Sequence, residues 1–182
     1  MLTPDSALTL AFDPSLLPSS LQATLPSGIH LRPLSSTDHS RSHLAILSVL
    51  TPTPDPGPEA WLARFEMMVA TKGTYYPIVL VEEESDQIVA LGTVLIERKF
   101  IRGMGIAAHI EDIAVSARMQ GKGLGKRVIE VLSALSEELG AYKVRLWKHS
   151  LGQAGADVLA SRRSWIATLS TKVRLAVLQG GC

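Results

Sequence analysis

Apolar residues along the chain recur with two periods, and the period assigns most of the sequence to elements. GIHLRPL alternates apolar and polar at Ile29, Leu31 and Leu34, which predicts a first strand. SSTDHSRSHLAILSVL then offers Ser or Thr caps, Asp38 in a first turn, and Leu44, Leu47 and Leu50 on one helical face. Four prolines in TPTPDPGPE end that helix. EAWLARFEMMVATKG predicts a second helix, with Trp61, Leu62, Phe65, Met68 and Val69 inward and Gly73 as its stop. Two β-rich runs, 76–81 and 88–96, flank EESDQ and predict an antiparallel hairpin. IRGMGIA is a glycine-containing loop, AHIEDIAV a further strand, and SARMQGKG another loop. LGKRVIEVLSALSEELG is an amphipathic helix with a stripe of Val128, Ile129, Leu132, Leu135 and Leu139, ended by Gly140. AYKVRL is a short strand after it. The last strand, helix and strand form one βαβ crossover, so that part of the sheet is expected to be parallel.

Composition narrows the class. The chain has 182 residues, enough for one domain with a real core. Its net charge of +1 carries no footprint of nucleic acid or of an anionic membrane. Cys182 is the only cysteine, which excludes a disulfide framework, a thiolate metal site and a thiol nucleophile and fits a reducing compartment. His109 has no cysteine or acidic ligand set at metal spacing, so no metal is expected and a satisfied core histidine is the plainer reading. No apolar run approaches the ~18 residues of a membrane span. The N-terminus has no Lys or Arg before Arg32, and Asp5, Asp13 and several prolines interrupt it, so a signal or transit peptide is not expected and a cytoplasmic location is. Residues 1–27, rich in Ser, Pro and Leu, read as a mobile arm, although Leu16, Leu17 and Leu21 could dock on a core.

The candidate chemistry begins at MQGKGLGKRV, where Gly121, Gly123 and Gly125 alternate before the amphipathic helix. A P-loop fails, because Gln120 and Arg127 stand where Gly and Ser or Thr are required. A dinucleotide fingerprint fails too, because Lys126 or Val128 stands at the third glycine. The physical reading survives. Glycines between a strand and a helix start let consecutive N–H groups converge, the helix dipole favours an anion there, and Lys122 and Lys126 add charge. A pyrophosphate suits such a loop. The plain alternative is a tight βα turn with no ligand.

QGKGLG, set between a strand and a helix, resembles the acetyl-CoA loop of the GNAT superfamily of N-acetyltransferases. VLIERKFI, AHIEDIAVSARMQGKGLGK and LGAYKVRL resemble, within it, the glucosamine 6-phosphate N-acetyltransferase family, and the resemblance runs from about Ile29 to Leu146. It implies an α/β fold, a mixed and mostly antiparallel sheet with helices on both faces. It implies acetyl transfer from acetyl-CoA to an amino-sugar phosphate for UDP-N-acetylglucosamine synthesis, in a homodimer, with neither metal nor nucleic acid nor membrane. Gly121, Lys122, Gly123, Leu124, Gly125 and Lys126 match the pyrophosphate loop. Ile113, Ala114 and Val115 match the exposed strand edge that pairs with pantetheine and offers an N–H to the acetyl carbonyl. Lys99, Phe100, Ile101 and Arg102 match the sugar-phosphate segment, and Tyr142 and Lys143 a further contact to that phosphate. Thr51 matches a substrate contact. Glu111 and Asp112 match the acidic pair beside the amine, as candidate base.

Each match has a plainer reading. Adjacent residues on a strand face opposite ways, so Glu111 and Asp112 reach one site only if a bulge intervenes; otherwise they are a salt-bridged or solvated pair. Lys99 and Arg102, near Arg98, could be a solvated hairpin end. Trp61 and Phe65 read as core. The resemblance stops after Leu146. The 147–182 tail holds neither the family's Asn-x-x-Phe-Tyr helix, which carries the tyrosine that protonates the thiolate, nor its final strand. Trp147 stands where an acidic residue is expected, and the tail has Lys148, Arg162, Arg163, Lys172 and Arg174 against Asp157 alone. The domain, 28–146, is therefore expected to be incomplete at its C-terminus. The open alternatives are an impaired or non-catalytic CoA-binding isoform, or an acetyltransferase for another amine.

Overall fold

The structure, a computed structural model, describes residues 1–147 and 174–178. Its centre is a six-stranded sheet in chain order: β1 (Ile29–Pro33), β2 (Tyr75–Glu82), β3 (Gln87–Arg98), β4 (Ile106–Val115), β5 (Ala141–Trp147) and β6 (Arg174–Leu178). Strands β1 to β4 pair antiparallel, while β4–β5 and β5–β6 are parallel. The hairpin and the parallel crossover appear as expected. The final strand does not. The sequence reading leaves the tail without one, yet Arg174–Leu178 pairs with Lys143 to Trp147. Its run RLAVL is short and apolar, and such a run gains a ladder wherever a strand edge is free. The expected loss of the family's helix falls on residues outside those described.

Alternation along the strands builds two cores. Ile78 and Leu80 join the layer under α5 (Leu124–Glu138), and Val79 and Val81 join the opposite layer under α2 (His43–Leu47) and α3 (Pro58–Ala70). The α5 stripe packs as its period demands, with Val128, Ile129, Leu132 and Leu135 fully buried. It lies so close to β3 that a Cβ at Gly92 would sit 2.8 Å from both Val128 Cγ1 and Leu132 Cδ1. Gly140, at φ +78°, lets the chain leave the helix.

Three expectations are corrected. The N-terminal segment is docked: α1 (Ser19–Gln22) carries Leu21, which packs on the main core with Phe12, Leu16, Leu17 and Leu25, and Gln22 bonds Ile29 O and Leu31 N. The first predicted helix is broken at Ser42, φ +68°, leaving a 3-10 turn at Asp38–Arg41 and then α2. Asp38 prefers the core to the helix turn. It is fully buried and accepts from Arg32 Nη1 at 2.7 Å, Arg32 Nη2 at 2.8 Å and the Ser35 N–H at 2.8 Å. In α3 only Trp61 and Phe65 are buried; Leu62 and Val69 are exposed and Met68 is intermediate. A one-sided helix on a sheet rim buries a narrower stripe than its sequence offers.

Candidate active site

The glycine loop is built as a backbone-lined turn. Gly121 and Gly123 have φ of +77° and +78°, a region costly for side chains, and Gly123 opens α5 with no side-chain cap. The first N–H groups of a helix have no partner inside it, so they are available to an anion. A Cβ at Gly121 or Gly123 would meet no protein atom within 4 Å, so the glycines answer to conformation and to space above the loop, not to packing. Gly125 and Leu124 are buried in the helix start. Lys122 Nζ lies 3.4 Å from Met119 Sδ, and Lys126 lies 3.7 Å from Glu130, leaving both cations beside the turn.

Upstream of the loop, β4 carries a bulge. Leu91 pairs with Ala114 and Thr93 with Glu111, so Gly92 alone faces both Asp112 and Ile113. Asp112 takes φ +56° to absorb the extra residue. The bulge frees the two acids from strict alternation. Glu111 is half-buried, and Asp112 is exposed and lines a cavity of about 510 Å³ beneath α3. Although the residue is open to solvent, the protein atoms packed around its carboxyl desolvate it, and this first, with the charge of Glu111 second, pushes the Asp112 carboxyl above the ordinary aspartate range.

At the same point the sheet splits. The β4–β5 ladder ends at Ile110 and Leu146, so beyond it Ala114 and Val115 pair only with β3 among the described strands, and Ile113 lies in the bulge. The sequence reading makes this edge exposed. Among the described strands it has no partner on that side, yet it is not exposed: the three residues are 4%, 1% and 2% accessible.

The basic segment occupies the far end of β4. Lys99 is bound by Glu97, whose carboxylate also accepts from His109 Nε2 at 2.9 Å, so His109 is satisfied as expected, although by a carboxylate at the surface and not in the core. Lys99 and His109 together hold the Glu97 carboxyl down at about 2. Arg102 sits in left-handed backbone, φ +60°, its guanidinium 5.9 Å from the ring centre of Tyr142. The structure thus brings Arg102 and Tyr142 together, with Lys143 next along β5. Phe100 and Ile101 are exposed, at 90% and 66%. Thr51 is exposed too, and its carbonyl accepts from Thr53 Oγ1 at 2.9 Å.

Within one chain Asp112 stands apart from Arg102 and Tyr142 at the start of β4 and β5, while Lys99 reaches back through Glu97 toward His109, three residues before Asp112. Ile106, which pairs with Arg98, lies six positions before Asp112. At about 3.3 Å per residue that is roughly 20 Å.

Two cavity residues had no signal in the sequence reading. His43 lines the cavity with Asp112, and its Nδ1 accepts from Trp61 Nε1 at 3.2 Å. Burial pushes its pKa down to about 4, so the ring is neutral at physiological pH. Trp61, read as core, is also cavity wall. A histidine inside an Ala- and Leu-rich helix is visible only once the fold sets Trp61 beside it. Among the described residues no group of His, Cys, Asp or Glu could hold a metal, and no helix is long and apolar enough to cross a membrane.

Comparison with known proteins gives the family. The acetyltransferase (GNAT) family model matches residues 43–159, so the match runs past Leu146 into the tail. Glucosamine 6-phosphate N-acetyltransferase 1 of Oryza sativa subsp. japonica is 40% identical over 114 residues, 63% of this chain and 69% of its own length. Glucosamine 6-phosphate N-acetyltransferase 1 of Dictyostelium discoideum is 35% identical over 126 residues, 69% of this chain and 80% of its own. The crystal structure of glucosamine-6-phosphate N-acetyltransferase from Arabidopsis thaliana superposes with a TM-score of 0.68 at 31% identity, covering 85% of this chain and 97% of that one.

Proposed function

The chain belongs to the acetyltransferase (GNAT) family, and on that premise we propose that it transfers the acetyl group of acetyl-CoA to the 2-amino group of glucosamine 6-phosphate. The observation that carries the reading is the bulge at Asp112, set where β4 parts from β5 and a few residues ahead of the uncapped glycine loop. The choice of amino sugar is supported by the relatives that bear that name.

The loop fits acetyl-CoA, which supplies the acetyl group as a thioester. Positive φ at Gly121 and Gly123 and the open start of α5 suit a pyrophosphate held by backbone N–H groups of Gly121 to Lys126. The unpaired side of Ile113, Ala114 and Val115 suits a pantetheine arm added as a strand, with an N–H beside Ile113 for the oxyanion. Asp112, with Glu111 beside it, is the base. Its raised pKa brings it closer to the working range of a general base than an ordinary aspartate. No acyl-carrying nucleophile is needed for direct attack in a ternary complex.

The roughly 20 Å of strand between Asp112 and Ile106, beside which Arg102 and Tyr142 stand, exceeds the reach of one sugar phosphate. A homodimer resolves this: Lys99, Arg102, Tyr142 and Lys143 of one copy clamp the phosphate while Asp112 of the other meets the amine. The product feeds UDP-N-acetylglucosamine synthesis, and the single cysteine supports a cytoplasmic setting. Calorimetry with glucosamine 6-phosphate and with glucosamine tests the assignment. The phosphorylated sugar binds and the plain sugar binds poorly, and Arg102→Glu removes the difference; equal binding of both to the unmodified chain would refute the phosphate clamp.

A further inference from the structure

We propose that Glu97 is a positioning residue behind the phosphate clamp: its carboxylate holds Lys99 while the site is empty, passes wholly to His109 when a sugar phosphate takes the ammonium, and so couples binding to the uptake of a proton. The inference rests on the reading of Lys99 as part of that clamp, and adds the two side chains that act through it.

Glu97 joins two basic side chains with its two oxygens. Oε1 faces Lys99 Nζ, and Oε2 lies 2.9 Å from His109 Nε2. The sheet makes the bridge possible. Glu97 pairs with Ala107, two residues before His109 on β4, so Glu97 and His109 share one face. Lys99 follows just past the end of β3, where its backbone N–H donates to Gly105 O at 2.9 Å. That bond fixes the backbone of Lys99 and leaves its side-chain torsions to carry the ammonium from one anion to another. Of the three side chains Glu97 is the most open to water, so the carboxylate can turn and a proton can arrive.

Charge decides which anion keeps the ammonium. A phosphate dianion carries twice the charge of a carboxylate, so at equal distance it attracts Lys99 more strongly and draws it off Glu97. Glu97 then keeps His109 alone. The charges that face His109 come from several strands: Glu97 and Lys99 from β3, Glu111 two residues on along β4, and Lys143 and Arg145 from β5, with Arg174 of β6 in register with Lys143. The sugar phosphate adds two negative charges to this set and occupies Lys99 and Lys143. Added anions favour a charged imidazole, and histidine is the side chain that gains a proton near neutral pH. The proton comes from water and goes to Nδ1, because Nε2 already carries the one donated to Glu97.

The test is calorimetry of the full chain with glucose 6-phosphate, which carries the phosphate and no amine, so no proton on the amine or on Asp112 enters the reading. Titrations are run at about pH 7.5, where a phosphate monoester is a dianion, in two buffers of different ionisation enthalpy, beside glucosamine 6-phosphate. We expect uptake of roughly half a proton or more per bound sugar phosphate. Glu97→Gln should lose most of that uptake and bind about three- to fivefold more tightly, because no anion competes for Lys99. His109→Gln keeps a donor for Glu97 and should bind without uptake. A Glu97 that only props up Lys99 gives the opposite sign, since its loss would leave the ammonium unheld and weaken binding. Weaker or unchanged binding by Glu97→Gln, uptake that survives His109→Gln, or no uptake by the parent would overturn the latch and leave the clamp standing. If neither sugar phosphate binds while CoA does, the clamp fails and the latch with it.

Discussion

Asp112 concentrates the argument at the scale of single residues. It owes its place to an extra residue in β4 and a left-handed backbone angle, and its raised pKa to burial and to Glu111. A base works only when deprotonated, so kcat/KM should fall as pH drops through that raised value. Asp112→Asn should abolish this acid limb and lower kcat/KM by about 10²–10⁴-fold. A profile that keeps its acid limb in the variant would assign the base elsewhere. Stability should move the other way. A carboxyl whose folded pKa lies above its unfolded pKa favours the fold while protonated, and that contribution is lost as pH rises through the folded value. Asparagine accepts a left-handed angle. The variant should therefore unfold at neutral pH no earlier than the parent in a thermal melt.

At the scale of elements, the glycine loop and the Arg32–Asp38 pair make separable claims. Gly123→Val places a β-branched residue at φ +78° and a side chain over the helix start. Gly140→Val imposes the same angle at the other end of α5, also with open space around it. Both should lose about 1–2 kcal/mol of stability by chemical denaturation. Only Gly123→Val should weaken CoA in calorimetry, and an equal effect of both would reduce the loop to a turn. Asp38→Ala leaves Arg32 as an uncompensated buried charge and should cost about 3–5 kcal/mol in the same assay. What could be read from sequence follows from these elements. The α5 stripe, the hairpin and the loop were legible because period and glycine spacing are local. The break at Ser42 was not, because it depends on Asp38 finding Arg32 in β1. The bulge was legible only as a condition for Glu111 and Asp112 to share a site, since its cause is the register against β3. The cavity was invisible, because α2, α3 and β3 meet only in the fold.

For the whole molecule, the distance along β4 turns a list of matching residues into a claim about assembly. If the amine site and the phosphate clamp belong to different copies, Asp112→Asn and Arg102→Glu damage opposite sides of the same site. Each variant alone should be nearly inactive. Mixed in one dimer, they leave one intact site, so co-expression should restore a substantial fraction of parent turnover. No recovery in a mixed dimer confirmed by mass would show that both groups serve one chain. The tail enters at this scale as well. Its strand β6 completes the sheet beside β5, so the domain is less truncated than its sequence implies.

Release of free thiol from acetyl-CoA on addition of glucosamine 6-phosphate, with calorimetry of CoA on the same preparation, tests the central claim most directly. The account predicts CoA binding, thiol release that depends on the sugar phosphate, and a product acetylated on nitrogen. Bound CoA with no release above the hydrolysis background would contradict it.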